Sequence, residues 1–141
     1  MGRVINPERA GKERNRLARS IVGALRRLGE QVEVNDETRD LAAYIALALD
    51  AITDTIDPTV EAWEKRGYWV KADRYRMDWI WTEKYASRMQ KAVLTEDWGT
   101  VVQLAVDIGG KLEKHKGMKP KQGQEYWTGS YSKIRENSSD Q

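Results

Sequence analysis

Residues 41–49 read LAAYIALAL, a run in which four alanines are interspersed with larger apolar side chains. A membrane-spanning helix needs about 20 apolar residues, so this run is too short to cross a bilayer. Asn35 is a favourable N-cap ahead of it, and apolar residues continue to Ile52 around most of a helical circumference. Because alanine lets neighbouring helices approach closely, we expect this segment to be the central helix of the fold.

Another helix is predicted before the central one, over residues 7–29, with Pro7 in its first turn and Gly29 at its end. One side of this helix is apolar and holds Leu17, Ala18, Ile21, Leu25 and Leu28. That side is expected to face the core.

After the central run, Asp57-Pro58 marks a turn, because the residue before a proline avoids the α region. The spacing of apolar residues then predicts a long third helix from Pro58 to Leu94, with Gly67 as a candidate kink or break. A fourth helix begins near Thr95. With no strand pattern of any length, the sequence predicts an all-α, up-down-up-down four-helix bundle with one long third helix and a C-terminal tail.

The sequence divides into an N-terminal arm at 1–6, a helical bundle at 7–116 and a flexible tail at 117–141. The tail is rich in Lys, Gln, Gly and Ser, yet it also holds Tyr126, Trp127, Tyr131 and Ile134. A purely solvated tail has no physical reason to hold these side chains. We expect them either to fold back onto an apolar groove of the bundle or to dock on a partner or a second copy.

Residue types that carry catalysis or bind metals are scarce. The chain has no Cys, which excludes disulfides, thiolate zinc sites and cysteine nucleophiles. The single histidine, His115, lies among lysines near a predicted helix end, where we expect a cation that interacts with the last carbonyl groups. Asp50, Asp54 and Asp57 are close in sequence but lack further oxygen ligands. The sequence therefore predicts a protein that is not an enzyme and holds no metal or cofactor.

The N-terminal residues lack the apolar region of a signal peptide. Together with the absence of Cys, this pattern predicts a cytoplasmic protein with no membrane association.

The net charge of +2 is distributed unevenly. Residues 1–29 hold eight Lys or Arg against two Glu, which gives +6, whereas residues 30–57 hold one Arg against eight acidic residues, which gives −7. Five cations share the side of the first helix that is opposite its apolar side: Arg9, Lys12, Arg16, Arg19 and Arg26. These charges are either compensated by a neighbouring acidic helix or directed outward to an anionic partner.

A second apolar strip is predicted behind the core side of the long third helix. It consists of Val70, Met77, Trp81 and Tyr85 and is interrupted by Arg74 and Arg88. Three roles fit this strip: a second core face, a seam between copies, or a platform on which bases stack while arginine neutralises phosphate.

These patterns predict a small helical accessory or architectural subunit that contacts the backbone of DNA or RNA without reading its sequence. The predicted contacts are the five cations of the first helix, with Arg74 and Arg88. The alternative is a structural homo-oligomer, or a subunit of a larger assembly, with no nucleic-acid role. In that case the second strip and the apolar residues of the tail form the interface.

Overall fold

The computed structural model describes residues 7–121 and 125–139, and within these ranges the protein has seven helices and no strand. The helices are α1 (Pro7–Gly29), α2 (Asp36–Asp54), α3 (Ile56–Lys65), α4 (Trp69–Trp79), α5 (Trp81–Leu94), α6 (Trp98–Lys111) and α7 (Ser130–Ser139). The all-helical prediction is confirmed. The predicted N-terminal arm at 1–6 lies outside the described residues.

The first two helices follow their local sequence signals. α1 has the predicted bounds, and it buries Leu17, Ala18 and Ile21. α2 is capped by Asn35, whose side-chain oxygen accepts the Thr38 N–H at 3.0 Å, while the Asn35 N–H donates to the Thr38 hydroxyl at 3.1 Å. α2 packs against α1, α5 and α7, so the predicted central helix is central in the fold.

The predicted long helix from Pro58 to Leu94 is instead three helices, α3, α4 and α5. Gly67, at φ +80°, ends the first of them in a conformation that side chains with a β-carbon rarely adopt. The second break follows α4, where the Thr82 hydroxyl donates to the Trp79 carbonyl at 2.7 Å. The Trp81 indole N–H donates to the Asp78 carbonyl at 2.9 Å. These side-chain donors occupy carbonyl groups that backbone N–H groups would bind in a continuous helix, and α4 ends at Trp79.

Two separate cores result from these breaks. The main core combines residues of α1, α2, α5, α6 and the C-terminal segment. The smaller core lies between α3 and α4 and consists of Ile56, Val60, Ala72 and Tyr75. Because five helices contribute to the main core, the predicted four-helix bundle is not confirmed.

The C-terminal segment folds back onto α2. Trp127 is 2% exposed and Ile134 is fully buried, both in the main core. The Asp40 carboxylate of α2 accepts the N–H groups of Gly129 and Tyr131 at 3.1 and 2.9 Å, so it caps the start of α7 from a distant part of the chain. The predicted flexible tail is therefore corrected for residues 125–139, because buried side chains and this cap fix them.

Candidate nucleic-acid interface

Three cations line the outward side of α1 at regular spacing. Lys12, Arg19 and Arg26 are seven residues apart, and all three are exposed. No carboxylate within the ranges 7–121 and 125–139 lies within 4.0 Å of these three side chains. Since a helix rises 1.5 Å per residue, neighbours in this row are about 10.5 Å apart along the axis. We call these three residues the basic row.

Arg16 and Arg9 do not add unpaired charge to the basic row. The Arg16 guanidinium binds the Glu13 carboxylate through Nε at 3.0 Å and Nη2 at 2.6 Å. This hydrogen-bonded pairing lowers the pKa of Glu13 and raises that of Arg16, so both groups are charged and compensate each other. Arg9 is exposed but also interacts within the fold.

Residues 117–121, which follow α6, cross the outward side of α1 between Arg19 and Arg26. We call these residues the crossing segment. The Met118 N–H donates to the Arg19 carbonyl at 2.8 Å, and the Tyr126 hydroxyl donates to the Ser20 carbonyl at 2.9 Å. The crossing requires Gly23, because a β-carbon there would overlap the Met118 carbonyl oxygen and the Tyr126 hydroxyl. A glycine inside a predicted helix is the sequence signal for such a close approach.

The crossing segment brings a further cation to one end of the basic row. Lys119 lines the same groove as Arg26 and Arg27, in the segment that was predicted to be a flexible tail. Two carboxylates, Glu30 and Glu125, also line this groove. The Arg26 end of the basic row therefore lies among charges of both signs.

The two arginines predicted to flank an aromatic platform lie on other helices. Arg74 is exposed on α4 and Arg88 is exposed on α5. Neither belongs to α1, so neither extends the basic row.

The second apolar strip is divided by the break at Ile80. Val70 and Met77 are exposed on α4, at 74% and 70%. Trp81 and Tyr85 of α5 instead pack against the main core, and the Lys111 ammonium lies over their rings at 5.4 and 5.6 Å from the centroids. A base-stacking platform needs an open ring face, and Lys111 occupies one face of each ring. Of the three predicted roles, core packing fits Trp81 and Tyr85 best.

The apolar residues of the predicted tail contact the protein's own core. Tyr126 and Tyr131 are partly buried against it, and Trp127 and Ile134 are within it. Burial and the neighbouring Tyr44 raise the pKa of Tyr126 to about 12, so its hydroxyl stays protonated as a donor at neutral pH. Buried side chains cannot reach a partner, so we remove Trp127 and Ile134 from the predicted interface.

His115 lies in an aromatic and cationic cluster at the end of α6. Its ring meets the Trp79 ring edge-on at a centroid distance of 5.9 Å. The Arg14 guanidinium lies 4.9 Å from the centroid of the same indole. Burial, and then the Arg14 charge, lower the pKa of His115, which corrects the expectation of a cationic histidine at a helix end.

This cluster predicts a pH dependence of stability. Because the folded state lowers the pKa of His115, it favours the neutral ring, and this contribution is complete above the unfolded pKa of about 6.5. This stabilisation is lost as the pH falls through the pKa of His115 in the folded state. We expect the free energy of unfolding, measured in urea between pH 7.5 and 5, to fall on acidification. The free energy of unfolding of His115→Gln should fall less steeply over the same pH range. Parallel curves for the two proteins would contradict the lowered pKa of His115.

No group of three or more His, Cys, Asp or Glu among the described residues could hold a metal ion. Asp57 instead pairs with Arg76 at 3.2 Å. Burial and the neighbouring Asp54 raise the pKa of Asp50, but no nucleophile or base among the described residues hydrogen-bonds to it.

In the described part of the chain, no helix combines the length and the apolar composition needed to cross a membrane. No protein-family model, curated protein or solved structure matches the chain.

Proposed function

We propose that the protein is a non-enzymatic accessory or architectural subunit of the cytoplasm that contacts the phosphate backbone of DNA or RNA through the outward side of α1. The observation that carries this proposal is the basic row. Lys12, Arg19 and Arg26 are exposed, regularly spaced and without a carboxylate within 4.0 Å in the described ranges. Exposed cations arranged in a line are the usual electrostatic feature of backbone binding.

The basic row lies along one side of a straight helix, with its members about 10.5 Å apart along the axis. A DNA duplex carries one phosphate charge per about 1.7 Å of its own axis, so a cation on this side can meet a phosphate without a matched repeat. Lys12 and Arg19 lie on one side of the segment that crosses α1, and Arg26 lies on the other. Arg16 contributes little, because Glu13 neutralises it.

The proposed contact is independent of sequence. Lysine and arginine side chains that meet phosphate position a protein on the backbone but do not read base edges. The chain has no helix-turn-helix signature, zinc pattern or RNP motif that would supply base recognition.

The experiment compares two triple variants that remove the same charge from different parts of the chain. Lys12→Gln/Arg19→Gln/Arg26→Gln removes the basic row, and Lys84→Gln/Lys91→Gln/Lys114→Gln removes three exposed cations that are not among the predicted contacts. Binding of labelled duplex and single-stranded DNA and RNA is measured by fluorescence anisotropy at low salt. The α1 variant should bind at least about tenfold more weakly than wild type, since each backbone contact contributes to affinity. Equal losses in both variants would contradict a binding surface on α1.

A second candidate function is self-association without any nucleic-acid role. The observation that favours it is the exposure of Trp69, Val70 and Met77 on α4, at 63%, 74% and 70%. Exposed apolar side chains that lie close together on one helix are typical of an interaction surface. This candidate does not depend on the basic row, and the two functions can coexist.

A further inference from the structure

The outward side of α4 is an apolar surface with no covering element among the described residues. The inward side of the helix is occupied, since Ala72 and Tyr75 are buried in the smaller core. On the outward side, Val70 and Met77 lie seven residues apart, which places them within about 20° of each other around the axis. Trp69 and Ile80 lie on one flank of this pair and are 63% and 43% exposed.

We propose that this surface binds α4 of a second copy of the chain, with the two helices antiparallel about a two-fold axis between Arg74 and Tyr75. In such an interface the same patch is used by both copies and must be complementary to itself. The sequence of α4, WVKADRYRMDW, followed by Ile80, has this property when it is aligned with its own reverse.

The charged residues of the two flanks are complementary in this alignment. In an antiparallel pair, each flank of one helix meets the same flank of the other, and residues equally far from the axis in opposite directions face each other. On one flank, Asp73 then faces Arg76 of the second copy. On the other, Lys71 faces Asp78. The two-fold axis repeats both contacts, which gives four pairs of opposite charge.

The apolar residues also match. Val70 and Met77 of each copy alternate along the centre of the contact, because the antiparallel arrangement places Val70 of one copy close to Met77 of the other. Trp69 faces Ile80 at each end. The residues that α4 leaves exposed are therefore those that the pairing covers.

Contacts within one chain do not prevent this pairing. Arg76 is bound to Asp57 by one contact at 3.2 Å, which is weaker than the two-point pairing of Arg16 with Glu13. Because the Asp57 side chain is also 85% exposed, Arg76 can exchange this partner for Asp73 of the second copy. The Lys71 ammonium lies over the Trp63 and Tyr68 rings, at 4.8 and 5.4 Å from their centroids, so its pairing with Asp78 of the second copy competes with these contacts. The two Arg74 side chains meet beside the axis, and this like-charge contact makes the association weaker. An eleven-residue helix pair places the dimer among small, concentration-dependent interfaces.

The test reverses the charge of one residue in each variant, in the full chain. In Asp73→Arg, the new arginine faces Arg76 of its partner, and in Arg76→Asp the new aspartate faces Asp73. Each variant alone should self-associate at least about tenfold more weakly than wild type in sedimentation equilibrium. An equimolar mixture of the two should recover a two-chain species, since both contacts are again between opposite charges.

Two further variants test the apolar centre. Met77→Glu should remain a folded monomer, whereas Val102→Glu, at an exposed apolar position of α6, should self-associate like wild type. Circular dichroism checks that each variant is helical. The proposal is overturned if wild type stays monomeric up to its solubility limit, if the mixture associates no better than its components, or if Met77→Glu dimerises normally. These measurements contain no nucleic acid, so their failure leaves the proposed function of α1 intact.

Discussion

Trp127→Ala is expected to lower the free energy of unfolding by about 3–5 kcal/mol, the usual range for removing a buried tryptophan. The side chain is 2% exposed within the main core, although the sequence around it resembles a polar tail. The indole Nε1 is buried and has no hydrogen-bond partner among the described residues, which offsets part of the stabilisation that the ring provides. Urea denaturation followed by circular dichroism measures the loss, which is large for a single domain.

Trp69→Ala is the matched control for this change. Trp69 is 63% exposed on α4, so the same substitution should change the free energy of unfolding by no more than about 0.5 kcal/mol. The measurement is made at a protein concentration low enough to keep the chain monomeric. A loss at Trp127 as small as the loss at Trp69 would contradict the folding of the C-terminal segment onto α2.

Gly23→Ala is expected to destabilise the protein by about 1–3 kcal/mol, although alanine is the better helix former. A β-carbon at Gly23 would overlap the Met118 carbonyl oxygen and the Tyr126 hydroxyl, so the crossing segment would have to move away from α1. The hydrogen bond from Tyr126 to the Ser20 carbonyl would then be strained or lost.

Gly11→Ala in the same helix should change the free energy of unfolding in the opposite direction. Among the described residues, no atom beyond the neighbouring helix backbone lies within 4 Å of a β-carbon at Gly11, so we expect the helix preference to stabilise the protein by up to about 1 kcal/mol. Thermal unfolding of the two variants gives both signs. If both substitutions stabilise the protein, the crossing of α1 by the segment at Met118 is wrong.

Local signals in the sequence predicted the first half of the fold well. The bounds of α1 and the Asn35 cap depend on residues within one or two turns of each other, and the structure has both. The break at Ile80 was missed because apolar spacing continues through it, and only the side-chain bonds of Trp81 and Thr82 interrupt the helix. The cap that Asp40 provides for α7 joins residues about 90 positions apart, and no local pattern predicts such a contact.

Some residues of the candidate site were also predicted by local sequence patterns, and others depend on distant contacts. Lys12, Arg19 and Arg26 follow from helical spacing alone, and the structure leaves them exposed. The compensation of the Arg16 charge could have been predicted, because Glu13 lies three residues before it on the same helix. The position of Lys119 beside Arg26 could not, since it depends on where the crossing segment meets α1.

The most direct test of backbone binding by α1 is the salt dependence of affinity. We expect wild type to bind duplex and single-stranded nucleic acid at low salt, with log affinity falling linearly against log salt. Lys12→Gln/Arg19→Gln/Arg26→Gln should reduce that slope by about 2.7 for duplex DNA and about 2.1 for a single strand, if each cation neutralises one phosphate. No binding by wild type to DNA or RNA at low salt, or an unchanged slope in the variant, would contradict the proposed function.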